Sequence, residues 1–516
     1  MKIALIIIDG FGIAPRGPGN CISLAKTHFY DSLLEKYPHT ALSASGNSVG
    51  LPKGAMGTSE VGHLHIGAGR TVWQPLALID AQIKNGEFEK NQDLLEAFRK
   101  AKERGSALHL MGLCSDGLVH SSLNHLFALL ELAKKENQTK VFIHFFADGR
   151  DVPEKSAKKY AEQIEKKTRE LGTGKIASLC GRFYSMDRDN NYNRTQKAFE
   201  LVTLGKGFST TNAVEAISKA YERGDQTDYY IQPTAIMENG KPVAVINDND
   251  AVVFFNTRTD RIRQLIKCFT EKSFTHFSRE KNPRVDFYSF VQTDETIPKN
   301  KCVPVFNPAE VKNNLGEVIA RAGLKQLRLA ETEKYAHVSY FFNSQVEAPN
   351  KNEERIVVPS KKVPSYDTAP EMSAQGITEK ACMQLAAKKF DFAVINYANP
   401  DLVGHSANIP AIIKAVEVVD ECLKKVCTTA LENGYTVLIT SDHGNAEEKL
   451  TSAGEKIPSH STNPVPFIIV SKDEKLQKMR LRKQGALSDI APTILDLLGL
   501  EKPREMTGTT LAEKSR

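Results

Sequence analysis

Short apolar runs that stop abruptly at carboxylates, histidines or arginines recur along this 516-residue chain, with helical periodicities between them. Ile3 to Ile8 runs into Asp9; Phe392 to Asn396 runs into Asn399, Pro400 and Asp401; Val437 to Thr440 runs into Ser441, Asp442 and His443. Uniformly apolar segments of this length are the mark of strands covered on both faces, as in a parallel sheet. After Pro410, residues Ile412, Val416, Val419, Leu423 and Val426 follow at helical steps up to Gly434, which predicts an amphipathic helix with a proline start and a glycine stop. The middle of the chain repeats the theme with different chemistry. Leu108 to Leu113 leads to Asp116 and His120, and Val141 to Phe146 leads to Asp148, Arg150 and Asp151. Ile176 to Leu179 leads to Arg182 and Arg188, and Val252 to Phe255 leads to Arg258 and Arg261. Alternating strands and helices predict an α/β architecture with its functional groups at the carboxyl ends of the strands.

Single hydrophobic cores stop growing at roughly 250 to 300 residues, so the chain is expected to form two α/β domains. Prolines interrupt the pattern at Thr71 to Pro75 and at Pro298 to Pro308, which are the expected linkers. The outer pieces carry carboxylates and histidines, whereas the middle carries arginines. The expected organisation is a discontinuous domain, residues 1–74 and 308–516, with residues 75–307 inserted into it. A composition 41% hydrophobic and 25% charged argues against disorder, and a net charge of +6 with interleaved signs gives no footprint for nucleic acid. Scattered cysteines without a Cys-x-x-Cys pair, an opening apolar run too short for a secretory signal and no membrane-length apolar stretch predict a cytoplasmic protein.

Asp9, the pair Asp401 and His405, and Asp442-His443 stand directly beyond predicted strands, while His460 lies in a polar loop. Mixed carboxylate and imidazole donors suit zinc, manganese or iron rather than calcium, and so many donors are reasonable for two ions. Singly, each reads more simply as an ordinary hydrogen-bonded polar group; it is the set, gathered beyond strand ends, that points to metal. Ser59, in Gly57-Thr58-Ser59-Glu60-Val61-Gly62-His63, is either a capping serine in a glycine-flanked turn or a nucleophile that needs a base or a metal to activate it. Arg150, Arg182, Arg188, Arg258 and Arg261 match the fork geometry of phosphate and carboxylate, so their recurrence at strand ends predicts a shared anion site. Asp151 beside them is either an ion-pair partner or a proton carrier for a substrate hydroxyl.

The strings Asp9-Gly10-Phe11-Gly12, Thr58-Ser59-Glu60-Val61-Gly62-His63, Ala147-Asp148-Gly149-Arg150-Asp151, Gly181-Arg182-Phe183-Tyr184-Ser185-Met186-Asp187-Arg188, Asn399-Pro400-Asp401-Leu402-Val403-Gly404-His405, Ser441-Asp442-His443-Gly444-Asn445-Ala446-Glu447 and His460-Ser461-Thr462-Asn463-Pro464 occur in the order in which they occur in the cofactor-independent phosphoglycerate mutases. The chain resembles that family, within the alkaline phosphatase superfamily, over essentially its whole length. Thr58, where the family usually has asparagine, and Ser406-Ala407 depart from its pattern.

The resemblance implies a phosphatase-like metal-binding domain around an inserted transferase domain. It implies a cytoplasmic monomeric isomerase of glycolysis and gluconeogenesis that acts on a small molecule, without bisphosphoglycerate, nucleic acid or membrane. Two Mn2+ ions, or other divalent metals, are implied: one on Asp401, His405 and His460, the other on Asp9, Ser59, Asp442 and His443. Substrate contacts are implied for His120, Arg150, Asp151, Arg182, Arg188, Arg258, Arg261 and Lys334, with Ser59, Asp151 and Lys334 catalytic. Ser59 is expected to carry the phosphoryl group between 3-phosphoglycerate and 2-phosphoglycerate. The alternatives are a metal-dependent phosphatase or another phosphomutase of the same superfamily, and a binding protein that has lost catalysis.

Overall fold

The computed structural model describes residues 1–292, 297–306 and 310–513. The chain divides into two compact units, Met1–Gln74 with Ala309–Arg516, and Pro75–Pro308. Residues 307–309 lie outside the described residues, and with them the end of the second expected linker and the expected boundary between 307 and 308.

In the first unit an eight-stranded sheet runs in the order Glu353–Val358, Gln326–Glu331, Phe392–Tyr397, Lys2–Ile8, Tyr435–Thr440, Val465–Val470, His39–Ser43, Gln484–Ala486. The first five are parallel, in register Ile3 to Phe392 and Ile3 to Thr436 across the centre. The three expected strands are its three central ones, and their side chains are buried almost throughout. The helix Ile409–Glu432 lies on one face, with Ile412, Val416, Val419, Leu423 and Val426 in the core beneath it. Burying each such side chain contributes about 1.5–3 kcal/mol. It ends before Gly434, whose φ of +81° lies in the left-handed region that a side chain disfavours.

The second unit holds a nine-stranded sheet in the order Val303–Pro304, Asp286–Ser289, Ala251–Phe254, Leu108–Leu113, Val141–Ala147, Lys175–Gly181, Thr234–Glu238, Phe208–Thr210, with Lys241–Pro242 paired to Thr234–Glu238. The first six are parallel. Two differences from expectation concern the linkers. Val303–Pro304, read as part of a linker, is an edge strand, where the missing N–H of proline costs no ladder bond. Pro75 ends the first linker by opening the helix Pro75–Asn85, where its fixed φ suits the first turn. Among the described residues, no helix is long and apolar enough to cross a membrane.

The first linker is tied to the first unit by a histidine. His65 is buried on the helix Ser59–Ala68; its Nδ1 lies 2.7 Å from the Val61 carbonyl, and its Nε2 accepts the Val72 N–H at 2.9 Å. Burial, only partly opposed by the Val61 carbonyl, pushes the ring down to about 4. The folded pKa is depressed below the unfolded one, so this contribution to stability is whole above about 6.5 and is lost as pH falls from there through about 4. The melting temperature is expected to drop more steeply over that interval in the wild type than in His65→Gln. Parallel curves would contradict this.

Candidate active site

In the first unit the carboxyl ends of four parallel strands deliver the candidate residues. Asp9 follows Lys2–Ile8, Asp401 and His405 lie in and just after the short helix Asn399–Gly404 beyond Phe392–Tyr397, Asp442 and His443 follow Tyr435–Thr440, and Lys334 follows Gln326–Glu331. Ser59 opens the helix Ser59–Ala68, but it is not the cap: Thr58 Oγ1 accepts the Val61 N–H at 3.4 Å. That frees the Ser59 hydroxyl, held at the positive end of the helix dipole, where an anionic oxygen is favoured.

Lys334 Nζ spends its three donors on Asp9 Oδ1 at 2.7 Å, Asp401 Oδ2 at 2.6 Å and Ser59 Oγ at 2.6 Å. Ser59 Oγ also stands 3.0 Å from His443 Nε2 and 3.1 Å from Asp9 Oδ1. Behind them, Asn396 Nδ2 donates to Asp9 Oδ2 at 2.9 Å, and His63 Nδ1, which faces the Ser59 carbonyl at 2.9 Å, stands 3.2 Å from Asp442 Oδ2 without a hydrogen bond to it. Burial opposes charge on Lys334, His443 and Asp442, yet their neighbours' charges outweigh it. Asp401, Asp9 and Asp442 outweigh the burial of Lys334 and hold its ammonium well above the ordinary lysine range. Asp442, with Asp401 and Asp9, lifts His443 to about 10, and His443, His63 and Lys334 hold Asp442 far below the usual carboxylate range.

The donor chemistry fits divalent cations. His405 Nδ1 faces the Pro458 carbonyl at 3.0 Å, His460 Nδ1 the Gly57 carbonyl at 2.8 Å, and His443 Nδ1 the Gly444 carbonyl at 3.2 Å. Carbonyls only accept, so each Nδ1 carries a proton and each Nε2 is turned inward, the arrangement that backs metal-ligating histidines. His405 Nε2 and His460 Nε2 then face each other at 3.2 Å, two acceptors that need a cation or a proton between them. Asp401 Oδ1 lies 3.4 Å from the first and 3.2 Å from the second. Asp442 Oδ2 is buried without a hydrogen-bond partner. The sets Asp401, His405, His460 and Asp9, Asp442, His443 each bring their ligand atoms within 4.8 Å of one another. Such mixed nitrogen and oxygen donors suit manganese, iron or zinc.

The second unit gathers the arginines at the carboxyl ends of its own sheet. Arg182 is buried and reaches Asp148 at 2.7 Å and Asp151 at 2.5 Å. Asp148 is the hub, because its oxygens also accept Ser115 Oγ at 2.6 Å and the N–H groups of Arg150 and Asp151 at 3.2 and 3.0 Å. Arg258 and Arg188 share Asp260, at 3.0 and 2.9 Å. Arg261 donates to the Met186 carbonyl at 3.2 Å, and burial, then Arg182, Arg188 and Arg150, lower its pKa. His120 is pushed down to about 4 by burial and then by Arg182, so it is neutral at neutral pH. Its Nε2 lies 3.9 Å from Asp151 Oδ2, and its carbonyl is held by the Thr257 N–H at 2.7 Å.

The expected metal ligands, Ser59 and Lys334 thus lie in the first unit, and His120, Asp151 and the five arginines in the second, so the expected substrate set, which included Lys334, and the expected catalytic set, Ser59, Asp151 and Lys334, are each divided between the units. Residue-by-residue reading gave no role to Asp148, Asp260, His63 and Asn396. Asp148 had the signal, standing directly beyond a strand; His63 and Asn396, inside a helix and a strand, had none.

Comparison with known proteins agrees with this chemistry. Residues 79–295 match the sequence model of the BPG-independent PGAM N-terminus, and residues 262–500 match that of the sulfatases. The chain is 50% identical over 515 residues to the 2,3-bisphosphoglycerate-independent phosphoglycerate mutase of Moorella thermoacetica, covering 99% of this chain and 98% of that one. It is 48% identical over 514 residues to the enzyme of the same description from Clostridium perfringens, with 99% of each chain covered. A crystal structure of Leishmania mexicana phosphoglycerate mutase at low cobalt concentration matches with a TM-score of 0.62 and 30% identity, over 100% of this chain and 98% of that one. The chain therefore belongs to the 2,3-bisphosphoglycerate-independent phosphoglycerate mutases, isomerases of the alkaline phosphatase superfamily.

Proposed function

We propose that this phosphoglycerate mutase passes the phosphoryl group through Ser59. The observation that supports this most directly is the surroundings of the Ser59 hydroxyl, 2.6 Å from the Lys334 ammonium and 3.0 Å from His443 at a helix N-terminus. Ser59 Oγ attacks the phosphorus of 3-phosphoglycerate, the bond from phosphorus to the glycerate 3-oxygen breaks, and the serine proton passes to the glycerate. Lys334, itself buried beside Ser59, offsets charge on the oxygens of the transferring group. Arg150, Arg182, Arg188, Arg258 and Arg261 hold the glycerate by its carboxylate and hydroxyls, with His120 as a neutral neighbour. The 2-hydroxyl then takes the phosphoryl group back from Ser59, and Asp151 serves as acid and base on the glycerate hydroxyls.

Asp401, His405 and His460 would hold one divalent ion and Asp9, Ser59, Asp442 and His443 a second. We assign Mn2+ to both, supplying when bound the Lewis acidity that lowers a hydroxyl pKa and offsets phosphoryl charge. The outer unit, residues 1–74 and 308–516, is the proposed metal-binding phosphatase-like part, and residues 75–307 are the proposed glycerate-binding part.

The arginine cluster favours a mutase over a phosphatase, since hydrolysis has no need to retain the alcohol. The test is to incubate Mn2+-loaded protein with 3-phosphoglycerate and no bisphosphorylated primer, following 2-phosphoglycerate and inorganic phosphate together. The expected product is 2-phosphoglycerate. Phosphate alone would select the phosphatase, and turnover of a pentose phosphate in place of phosphoglycerate would select a sibling mutase.

A further inference from the structure

Glu447 belongs to the string that follows Asp442 and His443, and it touches none of the groups assigned to the reaction. Its carboxylate is buried and surrounded by donors alone. Oε2 accepts the Gly12 N–H at 2.9 Å and the Asn445 N–H at 2.8 Å; Oε1 accepts Asn463 Nδ2 at 3.1 Å and the Ser461 hydroxyl. Gly12 is 435 residues away in sequence and lies three residues past Asp9. Asn445 follows His443, and Ser461 and Asn463 follow His460. One side chain thus stitches together three loops that carry Asp9, Asp442 with His443, and His460. A fourth is reached through Asn445, whose Nδ2 donates to Asp401 Oδ1 at 2.8 Å. The fit leaves no slack, because a Cβ on Gly12 or on Gly444 would stand 2.3 Å from this carboxyl group.

We infer that Glu447 is a positioning residue whose four-fold acceptance of hydrogen bonds sets the ligand-bearing loops in register for divalent-metal binding. The inference rests on the metal reading proposed above. Only an ionised carboxylate can meet four donors with acceptors alone; glutamine would turn an NH2 group toward two of them. Groups that orient metal ligands from behind typically control affinity by 10–100-fold.

The test uses full-length protein stripped with EDTA and titrated with MnCl2, by calorimetry and by mutase activity against Mn2+ concentration. For Glu447→Gln the half-saturating Mn2+ concentration is expected to rise roughly 10- to 100-fold, while kcat at saturating Mn2+ recovers most of the wild-type value. Asn463→Ala, which removes one donor, should shift the same way by less, and Glu447→Asp, which keeps the charge but shortens the reach, should fall between. A folded Glu447→Gln variant with wild-type Mn2+ affinity would overturn the inference, as would a fall in melting temperature and kcat with affinity unmoved. Should Glu447→Gln fail to fold, Asn463→Ala and Ser461→Ala decide, and unchanged affinity in both would overturn it. Wild-type protein that takes up no Mn2+ would instead bring down the metal reading itself.

Discussion

Ser59→Ala is expected to end isomerisation while leaving the protein folded. On the proposed route Ser59 is the covalent nucleophile and its loss removes the route itself, so the rate of 2-phosphoglycerate formation should fall by on the order of 10^4-fold or more. The fold has little reason to suffer. Thr58, not Ser59, caps the helix Ser59–Ala68, and alanine is a better helix former than serine. Lys334 keeps its contacts at 2.7 Å to Asp9 and 2.6 Å to Asp401 after losing the hydroxyl. Two measurements check this together: the initial rate with 3-phosphoglycerate, and acid-quenched protein after incubation with substrate labelled in its phosphoryl group. Label should be retained on the wild type and absent from the variant. Chelator-sensitive mutase activity surviving in Ser59→Ala would show that the phosphoryl group travels another way.

The parts of this molecule legible in the sequence are those where one physical demand acts alone. Strands covered on both faces must be apolar throughout, so Ile3 to Ile8 and Leu108 to Leu113 stand out, and the residues just beyond them are exposed as chemistry by contrast. The strand Gln326–Glu331 defeats that reading because Arg328 sits in its middle. Arg328 is fully buried, paired with Glu353 at 3.6 Å, bonded to Gln326 Oε1 at 2.7 Å and laid over the Phe342 ring at 4.8 Å. Glu353 and Phe342 come from other elements, so the sequence shows a charge where the fold has a paired one. With the strand hidden, the residue beyond it was hidden too, and Lys334 came to notice only through family resemblance.

The clustering of the candidate ligands was a matter of topology. Asp9 and Asp442 are far apart along the chain but stand at the ends of adjacent parallel strands, paired Ile7 to Thr440. Side chains that brace others from inside an element or a loop, such as His63, Asn396 and Glu447, carry no local signature, because their meaning lies in which distant groups the fold points at them.

Lys334→Met is expected to produce two losses that a divalent cation separates. Asp9, Asp401 and Asp442 are buried together, and the Lys334 ammonium bonds the first two. Methionine fills similar volume but brings no charge, so EDTA-treated protein keeps three buried carboxylates with less to balance them. Removing one partner of a buried ion pair costs about 3–5 kcal/mol, and that loss should appear as a lower melting temperature in EDTA. Saturating Mn2+ brings positive charge to the same carboxylates and should recover much of the difference in stability. Turnover should not recover in the same way. The ammonium lies 2.6 Å from Ser59 Oγ, the proposed attacking oxygen, and a donor aimed at developing charge in such a site is worth roughly 10^2 to 10^3 in rate. Scanning calorimetry with EDTA and with Mn2+, beside kcat at saturating Mn2+, resolves the two effects. Equal melting temperatures for variant and wild type in EDTA would mean that these carboxylates are balanced without Lys334, and full turnover at saturating Mn2+ would remove it from the transfer step.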